Sequence, residues 1–370
     1  MNDSDIMTIW QREVRVVSPV SAQHSIHTYF NPCPESPDGL WVLFFASTTK
    51  EGHLGEVHII NRESKEVRVL ARGVNTEDAH RVACQQWVSN GKRVAFHDYR
   101  DETWVVVVVD IETLEERVLA KNRQLAWGEA SGNLVPIYGM HWNPGAHRDL
   151  ELLDVESGEI KTVVTVTQVL ETYSDWIARQ FGKSLVSIFF PCLSPDSKRI
   201  IFKMAAPAGG HFRSPHASVR EGLIGFDLEA NQFLFLDERW GHPAWHPDSR
   251  TVINTPNVLI DTNTGEKRAI SGLPNFPGAH PTISPDGRLF AVDTKMETFG
   301  EPAGHWGVVI GLLTGGSYKT IHSFDHTGGA RSWRIAHPHP VFSRDGNRVY
   351  FNVSDGPWTK LYVAERAKPQ

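Results

Sequence analysis

A chain of 370 residues with 43 acidic against 37 basic side chains carries a net charge of −6, which leaves no electrostatic footprint for nucleic acid or for an anionic membrane surface. Its 40% hydrophobic content, with 12 Trp and 18 Phe, excludes a disordered chain and supplies ample material for a packed core. No apolar run reaches membrane-spanning length, and the opening residues Met1-Asn2-Asp3-Ser4-Asp5-Ile6 lack the basic and apolar regions of a secretory signal. Cys33, Cys84 and Cys192 are few, odd in number and widely spaced, so they read as core thiols in a reducing cytoplasm rather than as a disulfide framework.

From the N-terminus onward, one phrase recurs: a Ser-Pro-Asp-Gly-like turn followed by an alternating apolar run. It appears at Ser36-Pro37-Asp38-Gly39, Ser89-Asn90-Gly91, Ser194-Pro195-Asp196-Ser197, His246-Pro247-Asp248-Ser249, Ser284-Pro285-Asp286-Gly287 and Ser343-Arg344-Asp345-Gly346. Gly, Asn and Asp supply the positive-φ positions of tight hairpins. Half a repeat later, strands end in Asp or Asn before a second turn, as at Asn61, Asp110, Asp154, Asp227 and Asp261. Together the phrases describe four-stranded antiparallel units of roughly 51 residues, a propeller-blade period.

Seven such units fit the chain, the third being the least regular, with Gly132-Asn133 as its turn. The expected fold is all-β: one seven-bladed β-propeller domain over 1–370, with blades near 31–73, 74–122, 123–166, 167–236, 237–270, 271–324 and 325–370. A strand at 13–17 is expected to complete the last blade and remove the ring's exposed edges. Three segments exceed the repeat and are expected to be excursions on a functional face: 167–184, partly helical and lying over one face; 205–220, rich in Gly, Pro, His and Arg; and 295–306.

The histidines fall into register with the turns. His242, His280 and His339 each stand six residues before the turn aspartate of their own unit, so they occupy equivalent positions on innermost strands, which line a propeller's channel. His337, two residues before His339, shares its side if the stretch is a strand. A single histidine here reads as a structural bridge between blades; four in three consecutive blades read as a metal or catalytic cluster. His211 and His216 lie in the 205–220 excursion. Arg213, Arg220, Arg331 and Arg334 are candidate carboxylate anchors, since a guanidinium matches a carboxylate bidentately. Trp240, Trp245, Trp306 and Trp333 are inter-blade core or a platform for a sugar ring. The chain has no Gly-x-Ser-x-Gly elbow, no phosphate-binding glycine loop and no Cys-x-x-Cys.

The His337-Pro338-His339-Pro340 turn, the Gly241-His242-Pro243-Ala244-Trp245 phrase and the isolated His280 resemble those of oligogalacturonate lyases, cytoplasmic seven-bladed propellers that cleave short pectic uronides by β-elimination. The resemblance spans the repeat pattern of most of the chain, with its specific motifs in the last three blades. It implies a manganese ion, or another divalent ion, on His280, His337 and His339, with His242 as the base and Arg220 nearest to the family's catalytic arginine. The family's glutamine ligand falls at Arg334, which cannot ligate a cation and is instead placed, with Arg213, His211 and Trp333, among substrate-binding residues. The implied partner is a short uronic-acid oligosaccharide. The alternative is a non-catalytic propeller of the TolB kind, an interaction platform, because the Ser-Pro-Asp-Gly repeat alone is common there.

Overall fold

The structure, a computed structural model, describes residues 10–18, 20–254, 257–278, 280–330 and 336–367. Its strands form seven four-stranded antiparallel sheets arranged as a seven-bladed propeller. The two sequence phrases build the two turn types of each blade. In the first blade the Asp38 carboxylate accepts from the Leu40 N–H at 3.0 Å while Gly39 adopts φ 75°. Asp196, Asp286 and Asp345 accept in the same way, with Ser197, Gly287 and Gly346 taking the positive φ. At the same end of the blades, where Arg93 stands opposite Asp110 and Arg199 opposite Asp227, the Asp110, Asp154 and Asp227 carboxylates each accept two backbone N–H groups. These are Asx turns, in which a short acidic side chain replaces the next peptide carbonyl and reverses the chain.

Seven innermost strands face the channel: His24–Ile26, Gln86–Val88, Arg123–Leu125, Ser187–Leu193, Ala244–Trp245, Thr282–Ile283 and Val341–Phe342. The first sheet thus begins at His24, upstream of the boundary of 31 expected from the turns. The residues between Ile26 and an isolated bridge from Glu35 to Val42 lie outside the sheet, and several of their side chains enter the channel contacts described below. The last blade is completed from the other end of the chain: Trp10–Val16 pairs antiparallel with Lys360–Arg366, placing Val14 opposite Ala364 and Val16 opposite Tyr362. Trp10, 1% exposed, packs its indole edge-on against Phe342 at 6.0 Å. Trp10–Val16 is thus the outer strand of the seventh blade, and the two distant ends of the chain are joined in one sheet.

Alternating strand residues meet between neighbouring blades, as where Phe45 and Ile59 of the first pack against Trp87, Val94 and Phe96 of the second. The three excursions differ in kind. The first is a helix, Val166–Phe181, started by a Thr165–Gln168 capping box. It does not lie over a face as a loop: its apolar stripe of Val169, Trp176, Ile177 and Phe181 packs into the cluster of blades three and four with Phe202 and Phe226. The second lengthens a hairpin, since Arg199–Pro207 and Ser218–Asp227 pair as far as Pro207 opposite Ser218. The third is a 3₁₀ turn, Met296–Phe299, stopped by Gly300 at φ 83°. Cys84 and Cys192 are buried and Cys33 half-buried, all unpaired, and burial pushes the Cys33 and Cys84 thiols up to about 12.

His97 joins the second and third blades. It is 2% exposed, and its Nδ1 accepts the Leu125 N–H at 3.1 Å. Burial, assisted by the nearby Arg81 charge, lowers its pKa to about 3. Between that value and the unfolded value of about 6.5 the unfolded chain binds the extra proton. The stability His97 contributes is therefore full above pH 6.5 and is lost as pH falls toward 3. Lowering the pH from 7.5 to 5 should cost about 2 kcal/mol through this group. Thermal melts across that range should show a shallower dependence for His97→Asn than for the wild type.

Candidate metal centre at one mouth of the channel

His242, His280 and His339 stand just before the inner strands of blades five, six and seven. Ligand atoms of His280, His337 and His339 converge as the register predicts, and a fourth imidazole, His80, joins them: one nitrogen from each lies within 4.8 Å of all the others. His80 comes from the connection between Val67–Asn75 and Gln86–Val88, so three regions of the ring contribute. His80, His280 and His339 are buried and His337 is half-buried.

The strand geometry expected for His337 and His339 is corrected. Strand Val341–Phe342 begins only after them, and His339 adopts φ 48°. Pro338 and Pro340 have no N–H to give a ladder, so the segment stays outside the sheet and is held by other bonds. The His339 N–H donates to Asp293 at 3.0 Å, His27 Nε2 donates to the His339 carbonyl at 2.6 Å, and Asn352 Nδ2 donates to the His337 carbonyl at 3.3 Å. His27 is fully buried, and burial lowers its pKa to about 4, consistent with a neutral ring whose one proton makes that bond.

Asp293, on strand Leu289–Lys295, is completely buried. Besides the His339 N–H it accepts the His280 N–H at 2.8 Å and stands 3.0 and 3.1 Å from His280 Nδ1. A carboxylate there places the imidazole proton on Nδ1 and leaves Nε2 with its lone pair, the arrangement of carboxylate–histidine pairs behind metal ions. The donor set fits a divalent transition metal: four nitrogen donors in reach of one point, one of them oriented by a carboxylate.

His242 stands beside this set, half-buried, its ring 4.1 Å from that of His280 and 6.1 Å from Trp240. Next to it a hollow is lined by Tyr29, Arg81, Phe189, Phe190, Lys203, Arg220 and Trp240. Lys203 Nζ lies 3.4 Å from the centre of the Trp240 ring and donates to the Gly241 carbonyl. Arg220 donates from Nε to Ser218 Oγ at 3.2 Å, and that hydroxyl lies 2.6 Å from His141 Nδ1. Arg81 donates to Glu77 at 2.9 Å. Burial alone would raise Glu77, but Arg81 and His141 hold it well below the usual carboxylate range.

Two predicted site residues make bonds and ring contacts with protein groups outside this hollow. Arg213 is tied to the first blade, donating to Asn75 Oδ1 at 2.5 Å and to the Thr76 carbonyl at 3.0 Å, with its guanidinium 4.9 Å from the Phe212 ring. It fastens the long hairpin across the ring. His211 is exposed, stacks on Phe212 at 4.4 Å and accepts the Arg213 N–H. Trp333, Arg334 and Arg331 lie outside the described residues. Sequence reasoning missed His80, Arg81, Lys203 and Asp293. His80 escapes the register because no turn aspartate follows it by six residues; position 86 is Gln86. Asp293 was visible only as an acidic residue inside the apolar run Leu289-Phe290-Ala291-Val292-Asp293.

No protein-family model matches the chain, and no curated protein matches it. Solved structures do. An oligogalacturonate lyase from Vibrio parahaemolyticus aligns over 95% of this chain and 93% of its own, with TM-score 0.64 and 16% identity. An oligogalacturonate lyase in complex with manganese aligns over 96% of both chains, with TM-score 0.65 and 16% identity. The propeller domain of Cps50 (Swd1) from Myceliophteria thermophila aligns over 95% of this chain and 99% of its own, with TM-score 0.54 and 9% identity. At these identities the likeness is one of fold, shared by lyase and non-lyase propellers alike.

Proposed function

We propose that the chain is a metal-dependent lyase that cleaves oligogalacturonate, or a related short uronide, by β-elimination. The observation that carries this reading is the convergence of His80, His280, His337 and His339 at the channel mouth with His242 beside them. The cationic and aromatic hollow adjoining it supports the reading, as does the fold likeness to two oligogalacturonate lyases, one a manganese complex.

The four histidines would hold the ion, manganese or another divalent metal, with Asp293 keeping His280 oriented. When bound, such an ion supplies Lewis acidity, drawing charge from a uronate carboxylate and acidifying the proton on the adjacent C5. His242, neutral, takes that proton on a ring nitrogen. The electron pair left on C5 forms the C4–C5 double bond as the C4–O4 bond breaks, and O4 leaves with the electrons and acquires a proton. Arg220, with Arg81 and Lys203 near it, offsets carboxylate charge on the substrate, while Trp240 offers a ring face to a sugar. The partner is thus an acidic oligosaccharide rather than nucleic acid or membrane. A cytoplasmic location, expected from the sequence, belongs to this proposal; among the described residues no helix is long and apolar enough to cross a membrane.

Metal binding is tested separately from turnover. Metal-stripped protein titrated with Mn²⁺ in a calorimeter should bind one ion. His80→Ala and His280→Ala should abolish or strongly weaken that binding, and Asp293→Asn should weaken it roughly 10- to 100-fold. Binding unchanged in all three variants would remove the metal centre from the proposal.

For turnover, saturated and unsaturated digalacturonate are incubated with the metal-loaded protein and the unsaturated product is followed by its ultraviolet absorbance. His242→Ala should lower kcat by about 10²- to 10⁴-fold with metal content unchanged. A protein that binds metal yet turns over no member of a uronide panel is not a uronide lyase, and the interaction-platform reading would then take its place.

A further inference from the structure

The channel's other mouth is built differently. Following the inner strands from the histidines toward their Ser-Pro-Asp turns leads to a cavity of about 270 Å³, large enough for roughly nine waters' worth of liquid and close to the lower size of small-molecule pockets. Between the two mouths sits an aromatic plug. Tyr29 stacks on Trp127 at 5.7 Å and meets the edge of Phe190 at 5.4 Å, while its other neighbours include Phe30 at 4.5 Å and His339 at 4.6 Å. Trp127 therefore lines the second cavity from one side of the plug while Tyr29 touches the histidines on the other.

The cavity's charged lining is unusual in what it leaves unpaired. Glu35 is committed: Arg348 donates to it at 2.7 and 2.8 Å and Tyr350 at 2.5 Å. Glu129 and Arg344 also line the cavity, yet among the described residues no hydrogen bond or ion pair joins their side chains to each other or to any other group. Glu129 is fixed by its backbone, whose carbonyl accepts the Gly132 N–H at 3.0 Å. Burial pushes its carboxyl up to about 7, only partly offset by Arg344, the mark of an anion lacking a close counter-charge. Two of the indoles in the wall have their N–H groups engaged elsewhere, Trp87 with the Pro34 carbonyl at 2.8 Å and Trp245 with the Cys192 carbonyl at 3.1 Å, and so contribute apolar surface.

We propose that this mouth is a second binding site, for a small zwitterion of the α-amino-acid type, with its ammonium on Glu129, its carboxylate on Arg344 and its apolar part against the tryptophans. A cavity holding one uncommitted acid and one uncommitted base disfavours ligands of either single charge: an amine meets Arg344 and a carboxylate meets Glu129. A zwitterion satisfies both, giving half-buried Glu129 and solvent-exposed Arg344 a charge partner each. The site is independent of the lyase reading, because the plug separates it from the histidines and it uses none of their residues.

The test is calorimetric titration of the full-length protein with a panel of L-amino acids, including leucine and phenylalanine, beside analogues of one charge, isoamylamine and 4-methylpentanoate. At least one amino acid should bind with a Kd of millimolar or tighter, and the matched single-charge analogues at least tenfold more weakly. Glu129→Gln and Arg344→Gln should each weaken that binding tenfold or more while leaving metal affinity and any uronide turnover unchanged. The proposal is overturned if no amino acid binds at millimolar concentration, if an amine or carboxylate alone binds equally well, or if both variants bind as the wild type does.

Discussion

The buried carboxylate of Asp293 is the constraint on which the histidine cluster depends. An anion with no exposed surface is tolerated only when N–H donors replace its water, and Asp293 has the backbone N–H of His280, the backbone N–H of His339 and the His280 ring around it. Those donors come from blades six and seven. One side chain therefore fixes the tautomer of one imidazole and the backbone of another, and it does so across a blade boundary. The positive φ of His339, a conformation costly for a residue with a side chain, persists because Asp293 and His27 hold both sides of its peptide.

The second organising element is the stretch from His27 to Cys33, which lies outside the first blade's sheet. A propeller of identical blades would leave an open axial channel. Here Tyr29 and Phe30 fill its middle and touch His80, His280 and His339, giving the cluster an apolar floor. Water is kept from that side of the imidazoles, which favours nitrogen lone pairs meeting a cation over their being hydrated. The same plug divides one channel into two mouths with different chemistry, histidine and cationic groups at one end and an uncommitted acid and base at the other.

Much of this architecture was legible in the sequence because it is local. The turn aspartates act within two or three residues of themselves, so Asp38, Asp196, Asp286 and Asp345 announce their hairpins directly, and the six turn phrases, with Gly132-Asn133 for the irregular third unit, mark the seven sheets. The phase of His242, His280 and His339 relative to those turns carried the site one step further. What was not legible was non-local or broke the repeat. Arg213 sits in an insertion, and its partners in the fold, Asn75 and Thr76, are 138 and 137 residues away. The strand assigned to His337 and His339 ignored the prolines beside them. The helix Val166–Phe181 was expected over a face, but Trp176 and Phe181 make it part of the core of blades three and four.

These features share a physical origin that bears on function. A repeated scaffold is stabilised by contacts each blade makes with its neighbours, and such contacts are satisfied equally well in propellers that catalyse and in those that do not. Fold likeness at 16% identity to a lyase and at 9% to the Cps50 (Swd1) propeller says as much. Chemistry has to come from departures from the repeat. His80 lies in a connection, His337 and His339 outside the sheet, Tyr29 in a plug and Arg220 at the root of an extended hairpin. His339 is held by bonds to Asp293 and His27, His337 by one to Asn352, His80 by one to Asp78 and Arg220 by one to Ser218, bonds outside the strand ladders of the blades. The mouth of the channel is thus specified by a small set of polar side chains placed against the periodicity of the ring, and it is there that a propeller of this kind acquires its individual chemistry.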